Sequence, residues 1–169
     1  TLHTNSAPES VVRMLDMGLD PFNFADALVG VLSQRLARRL CPECRKPHVS
    51  SADELGQMAQ EYCGTTALDP ARVLADWRAR YGQEGSGDIV LYQPVGCERC
   101  HHSGYRGRVG LYELMTATPA IKKLVQSRAP VDLLFERATA EGMLRLLQYG
   151  LLKVLQGATD LRSVRGACA

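Results

Sequence analysis

Apolar residues recur at steps of three and four along much of this chain, and the runs are bounded by residues that start and stop helices. Ser6-Ala-Pro-Glu9 forms a capping box with proline in the first turn, so a helix is predicted over Pro8–Met17, ending at Gly18. Asp20-Pro21 opens the next. Its apolar positions Ala25, Leu28, Val29, Leu32, Leu36 and Leu40 predict one continuous helix to Leu40, with Arg35, Arg38 and Arg39 on the opposite face. Such a stripe wants a partner surface that the few preceding residues do not supply, so most of its core is expected in sequence outside these residues.

The middle of the chain is also predicted helical. Ser51-Ala-Asp-Glu54 opens a helix toward Tyr62, and Asp69-Pro70 opens another to about Tyr81. Gly82–Asp88 is a glycine-rich loop, followed by a strand over Ile89–Val95. Gly104-Tyr-Arg-Gly-Arg-Val-Gly110 leads into a second strand, from about Arg108 to Met115. Thr118-Pro119 starts a short helix, and Pro130 starts another over Val131–Ala140. The most leucine-rich helix is predicted over Gly142–Gln156, and Thr159 caps a last one through Arg165. Met143, Leu147, Leu151 and Leu155 read as core positions of that leucine-rich helix rather than as a cofactor contact. The fold class expected is α+β, mostly helical, with a small β element.

Composition adds bounds. The 169 residues suit one domain or one and a part, and an apolar fraction of 46% suffices for a core. A net charge of +2 says little about partners, and no apolar run is long enough to span a bilayer. Thr1-Leu2-His3-Thr4, with helix following at once, is expected to be an excised beginning.

The chemistry lies in two cysteine pairs of equal spacing, Cys41-Pro-Glu-Cys44 and Cys97-Glu-Arg-Cys100. Two intervening residues let both thiolates face one cation, and two such knuckles complete the tetrahedral four-sulfur shell of a structural zinc site. The interval between them exceeds the roughly 15–20 residues of a simple ribbon, so a sizeable insert is expected inside the metal module. Disulfides, plain thiols and a redox pair are the rival readings. Cys97-Glu-Arg-Cys100-His101 also matches a c-type haem attachment string, which leaves Cys41 and Cys44 unexplained. Cys63 and Cys168 fit neither knuckle, and His48, His101 and His102 are substitute ligands only if a cysteine is not used. Arg35, Arg38, Arg39, Arg45 and Lys46, with Arg106 and Arg108 beside the second pair, form a basic cluster. It suits nucleotide phosphates across a ring interface, acidic lipid or nucleic acid, or simply a solvated face.

Several strings, in order, resemble the C-terminal part of the type II secretion and type IV pilus assembly ATPases. Thr1-Leu2-His3-Thr4-Asn5 and Arg13-Met-Leu-Asp-Met-Gly18 resemble that family's His box and the helix after it. Gln34-Arg-Leu-Ala-Arg-Arg-Leu-Cys41-Pro resembles its approach to a tetracysteine motif, and Gly104–Leu114 the segment after it. Gly142-Met, Gly150 and Gly157-Ala-Thr-Asp-Leu161 resemble its tail, whereas about Val49–Asp88 has no such counterpart.

The resemblance implies a hexameric, RecA-like ATPase at the cytoplasmic face of the bacterial inner membrane. Residues 1–40 would end the ATPase core, 41–115 would form the tetracysteine zinc subdomain with a helical insert, and 116–169 a C-terminal helical subdomain. His3 would be catalytic in the parent enzyme, which also uses ATP and magnesium. The partners implied are other ring subunits and inner-membrane secretion or pilus platform proteins. Acidic phospholipid is a further candidate, through Arg35, Arg38 and Arg39, and no nucleic acid is expected. No G-x-x-x-x-G-K-[ST] phosphate loop occurs, nor an apolar strand ending in acidic residues for magnesium, so the chain alone is expected to be inactive. The alternative is a free-standing zinc-ribbon module that binds nucleic acid.

Overall fold

A computed structural model describes residues 4–64 and 66–169. Helices predominate, and the chain divides into two compact units: residues up to Gln34 with Tyr112–Leu146, and Arg35–Leu111 with Leu147–Ala169.

In the first unit, α1 (Ala7–Asp16) begins where its capping residues place it. The Ser6 hydroxyl accepts the Glu9 N–H at 3.2 Å, although the Glu9 carboxylate takes the Asn5 N–H rather than that of Ser6. α2 (Pro21–Ala27) is capped by Asp20 and α5 (Pro119–Gln126) by Thr118, while α6 (Val131–Ala140) follows Pro130. α2 packs on α5, and α6 packs on both α1 and α5. Their inward faces bury Val11, Leu15, Ala25, Ile121, Val125, Leu134 and Met143 around Met115.

The continuous helix expected to Leu40 does not form. α2 ends at Ala27, and Gly30–Leu40 is strand β1. Leu32 and Leu36 are 58% and 53% exposed, whereas Ser33 and Ala37 are buried. Alternation rather than helical phase therefore sets the inner face. Strand geometry also splits the arginines: Arg35 and Arg39 share one face of β1 and Arg38 the other, so the single basic helix face is not there.

β1 pairs with β4 (Tyr105–Thr116), which begins three residues earlier than expected. The bonds from Cys41 N–H to the Gly104 carbonyl and from Ala117 N–H to the Val29 carbonyl mark an antiparallel ladder. The β content thus exceeds the small element expected.

The second unit holds the helical hairpin α3 (Ala52–Cys63) and α4 (Pro70–Tyr81), capped by Ser51 and Asp69 as read. Trp77, only 2% exposed, meets Tyr62 edge-on at 5.4 Å. An unforeseen strand, β2 (Lys46–Val49), pairs antiparallel with β3 (Val90–Gln93), Lys46 opposite Gln93 and Val49 opposite Val90. This short ribbon closes the base of the insert. α7 (Leu146–Leu155) starts four residues later than expected, and Gly142, at φ 97°, belongs to the turn that ends α6. Met143, Leu151 and Leu155 are buried and Leu147 is half-buried. α8 (Leu161–Cys168) is capped by Asp160 rather than Thr159, whose hydroxyl instead donates to the Arg38 carbonyl.

Candidate metal centre

β1 ends at Leu40 and delivers Cys41; β2 begins two residues after Cys44. β3 runs toward Cys97, and a single 3-10 turn, Glu98–Cys100, follows before β4. Each pair therefore sits where the chain passes from one two-stranded ribbon to the other, and the two ribbons bring the pairs together across 56 residues of sequence.

All four sulfur atoms lie within 4.8 Å of one another. Cys41 and Cys97 are 4.0 Å apart, Cys44 and Cys100 3.8 Å, and Cys97 and Cys100 3.8 Å. A tetrahedral zinc with Zn–S bonds of about 2.3 Å requires an S···S edge of about 3.8 Å. A disulfide requires about 2.0 Å. The spacing fits four ligands of one cation and excludes disulfides among them. A haem on Cys97 and Cys100 would account for only half of this cluster. His101 and His102 are exposed, on left-handed backbone, and His48 faces Glu54 at 3.4 Å, so the substitute ligands are not needed.

Backbone N–H groups converge on the sulfurs. Gly96 donates to Cys44 Sγ at 3.3 Å, and Cys97 and Gly104 both donate to Cys100 Sγ at 3.2 Å. Such donors favour a thiolate. For Cys100 burial works against ionisation, but the Cys97 and Gly104 N–H groups and the neighbouring thiols outweigh it and bring the thiol down to about 6. For Cys44 burial dominates over the one N–H from Gly96 and holds the thiol up at about 11. A cation bound at this centre would have to displace that proton.

Two glycines make this geometry possible. Gly96 has φ 118°, and a Cβ there would lie 2.6 Å from the His102 carbonyl oxygen. Gly104 has φ 78°, and its Cβ would meet Pro94 at 2.5 Å. Neither was singled out from sequence as part of the site; the legible signal was a glycine directly before one cysteine and another four residues after the next. Arg45 also gained its meaning only from the fold: its guanidinium lies 4.4 Å from the Tyr92 ring centroid and donates to the Gly157 carbonyl.

Four soft thiolate donors in a closed tetrahedron can hold a metal such as zinc, and they leave no open position for a reacting ligand. Cys63, buried at the end of α3, and Cys168 lie outside the cluster. Arg38 stacks over the Tyr105 ring at 4.0 Å, and Arg39, Lys46, Arg106 and Arg108 are exposed in the same unit. His3 lies outside the described residues. Among the described residues no helix is long and apolar enough to cross a membrane.

A family model described as Type II/IV secretion system protein matches residues 1–166. The chain is similar to the Type II secretion system protein E of Aeromonas hydrophila, 37% identical over 97% of this chain and 28% of that protein. It is similar to the Type IV pilus assembly ATPase PilB of Myxococcus xanthus, 39% identical over 100% of this chain and 26% of that one. The PilB of Pseudomonas aeruginosa is 37% identical over 97% and 25%. The chain thus spans about a quarter of the length of these relatives.

Proposed function

Because the chain belongs to the type II/IV secretion system protein family, we propose that it is the zinc-bearing C-terminal part of a hexameric ATPase that powers type II secretion or type IV pilus assembly. The observation that carries the reading is a match over nearly every residue to proteins named as secretion and pilus ATPases, together with a four-sulfur cluster of metal-binding geometry. In this reading residues 1–40 end a RecA-like core, 41–115 are the zinc subdomain and 116–169 a helical subdomain.

The division of labour follows from chemistry. Phosphoryl transfer needs a phosphate cradle and a magnesium site, and these residues contain no P-loop string. ATP and magnesium would be held elsewhere in the polypeptide, with His3 near the transferred phosphate. Zinc would be bound by Cys41, Cys44, Cys97 and Cys100 and would supply rigidity rather than Lewis acidity. Its partners would be neighbouring ring subunits and inner-membrane platform proteins at the cytoplasmic face, with acidic phospholipid a further candidate at Arg35 and Arg39, which share a face of β1, rather than at Arg38, which stacks on Tyr105.

The test is direct. The purified chain should carry a single zinc and show background ATP hydrolysis. The same residues joined to a P-loop-bearing core should hydrolyse ATP, with His3→Ala lowering kcat by at least ~10-fold. ATP turnover by the chain alone at the rate of an intact motor would overturn the reading. Tight, salt-dependent binding of nucleic acid would favour the zinc-ribbon alternative.

A further inference from the structure

We propose that the metal centre governs the docking of the turn between α7 and α8, with Arg45 as the coupling side chain. The inference rests on the reading that the four cysteines hold a metal, and goes beyond it by assigning where the metal's state is felt.

The turn Gly157–Asp160 is gripped by residues that flank both cysteine pairs. Just before the first pair, the Leu40 N–H donates to the Ala158 carbonyl at 3.0 Å, and the Arg38 carbonyl accepts the Thr159 hydroxyl at 2.7 Å. Just after it, Arg45 Nη1 donates to the Gly157 carbonyl at 2.5 Å. After the second pair, the Tyr105 hydroxyl donates to the Asp160 carboxylate. On the approach to that pair, Tyr92 lies under the Arg45 guanidinium and against Gly157, where a Cβ would come within 2.6 Å of the ring. Arg45 and Tyr92 come from opposite sides of the cluster, one directly after Cys44 and the other on β3.

These contacts are local to the strands and loops that the cluster holds in place. Metal removal frees the knuckles, because site formation and local folding are linked. The β1–β4 ends that carry Leu40 and Tyr105 and the β2–β3 ribbon beside Arg45 and Tyr92 then lose their fixed position relative to one another, and the turn that both hold loses its docking. Thr159 is fully buried, so water does not replace the lost bond without the turn opening. The coupling is reciprocal: a docked turn favours the closed knuckles as much as closed knuckles favour the docked turn.

The experiment is hydrogen exchange on the protein with zinc and after chelation, with metal content measured alongside. The Ala158 and Val164 amides, both hydrogen-bonded in the α7–α8 segment, should exchange at least ~10-fold faster without metal. Arg45→Ala at saturating zinc should keep the metal yet speed the same amides at least ~5-fold, and lower zinc affinity by a like factor. Arg45→Lys should not rescue, since an ammonium lacks the planar stack. If chelation loosens only the knuckle amides, or if Arg45→Ala leaves both turn protection and zinc affinity unchanged, the coupling is wrong while the metal reading stands. If zinc neither binds nor alters exchange anywhere, both fall.

Discussion

Glu113 accepts the Ala7 N–H at 2.7 Å with its carboxyl group on the buried face of β4, between Leu111 and Met115. The residue is 2% exposed, a rare position for a carboxylate. Its acceptance of the first N–H of α1 explains the placement, since a helix start offers unpaired donors and a favourable dipole.

That relationship fixes a pH dependence. Burial raises the Glu113 pKa, against the Ala7 and Leu146 N–H groups and Arg145, which lower it. A native pKa above the unfolded value of about 4.3 means that the native state holds the proton longer. The stability contributed by this group is full below the unfolded pKa and is lost as pH rises through the native one. Glu113→Gln keeps an acceptor for Ala7 and should flatten that part of the stability–pH curve measured by urea denaturation. Glu113→Leu strands the N–H and should cost about 1–3 kcal/mol.

Cys44→Ser should abolish stoichiometric zinc and lower the thermal midpoint by ~10 °C, at about 2–4 °C per kcal/mol for a chain of this size. Cys63→Ser, outside the cluster, should retain full metal. Zinc analysis beside calorimetry checks both, and retention of metal and midpoint in Cys44→Ser would refute the clasp.

Gly96→Ala and Gly107→Ala both place a side chain on left-handed backbone, at φ 118° and 80°. Of these two glycines, Gly96 is the one whose new Cβ collides with backbone and whose N–H donates to a ligand sulfur. Gly107→Ala should cost about 1–3 kcal/mol from backbone strain alone. Gly96→Ala should in addition weaken zinc binding in a competitive chelator titration.

Trp77→Ala empties the interior of the α3–α4 hairpin and should cost about 3–5 kcal/mol in denaturant unfolding. Trp77 is the sole tryptophan, so in the unmodified protein its fluorescence reports this hairpin directly.

Leu36 and Ala37 separate what the sequence made legible from what it hid. Helix starts at Ser6, Asp20, Ser51, Asp69 and Thr118 were readable because a cap is decided by a few adjacent residues. β1 was not, because Leu32, Leu36 and Leu40 are spaced by four, and that interval returns to one face of a helix and of a strand alike. The small buried residues Ser33 and Ala37 mark the inner face along most of β1, a signal weaker than a leucine row, and of those leucines only Leu40, at the strand's end beside Cys41, is buried. Leu36→Ser should therefore change stability by less than about 0.5 kcal/mol, and Ala37→Leu should cost about 1–3 kcal/mol by overpacking. At the metal centre the ligand spacing was legible, since Cys-x-x-Cys is a local chelate. The N–H donors of Gly96 and Gly104 and the reach of Arg45 were not, because they arise only once β3 and β4 return to Cys41.

The antiparallel β2–β3 ribbon carries a topological consequence. Bringing Cys41 to Cys97 across a separation of 56 residues costs chain entropy worth about 4 kcal/mol when the clasp forms, in the simplest loop-closure account. Doubling such a loop changes that figure by only about 0.6 kcal/mol. The cysteine clasp is therefore nearly indifferent to how much polypeptide it encircles, and what constrains the α3–α4 hairpin is its own packing and the bonds from Gln148 and Arg165 to α3 rather than the four sulfurs.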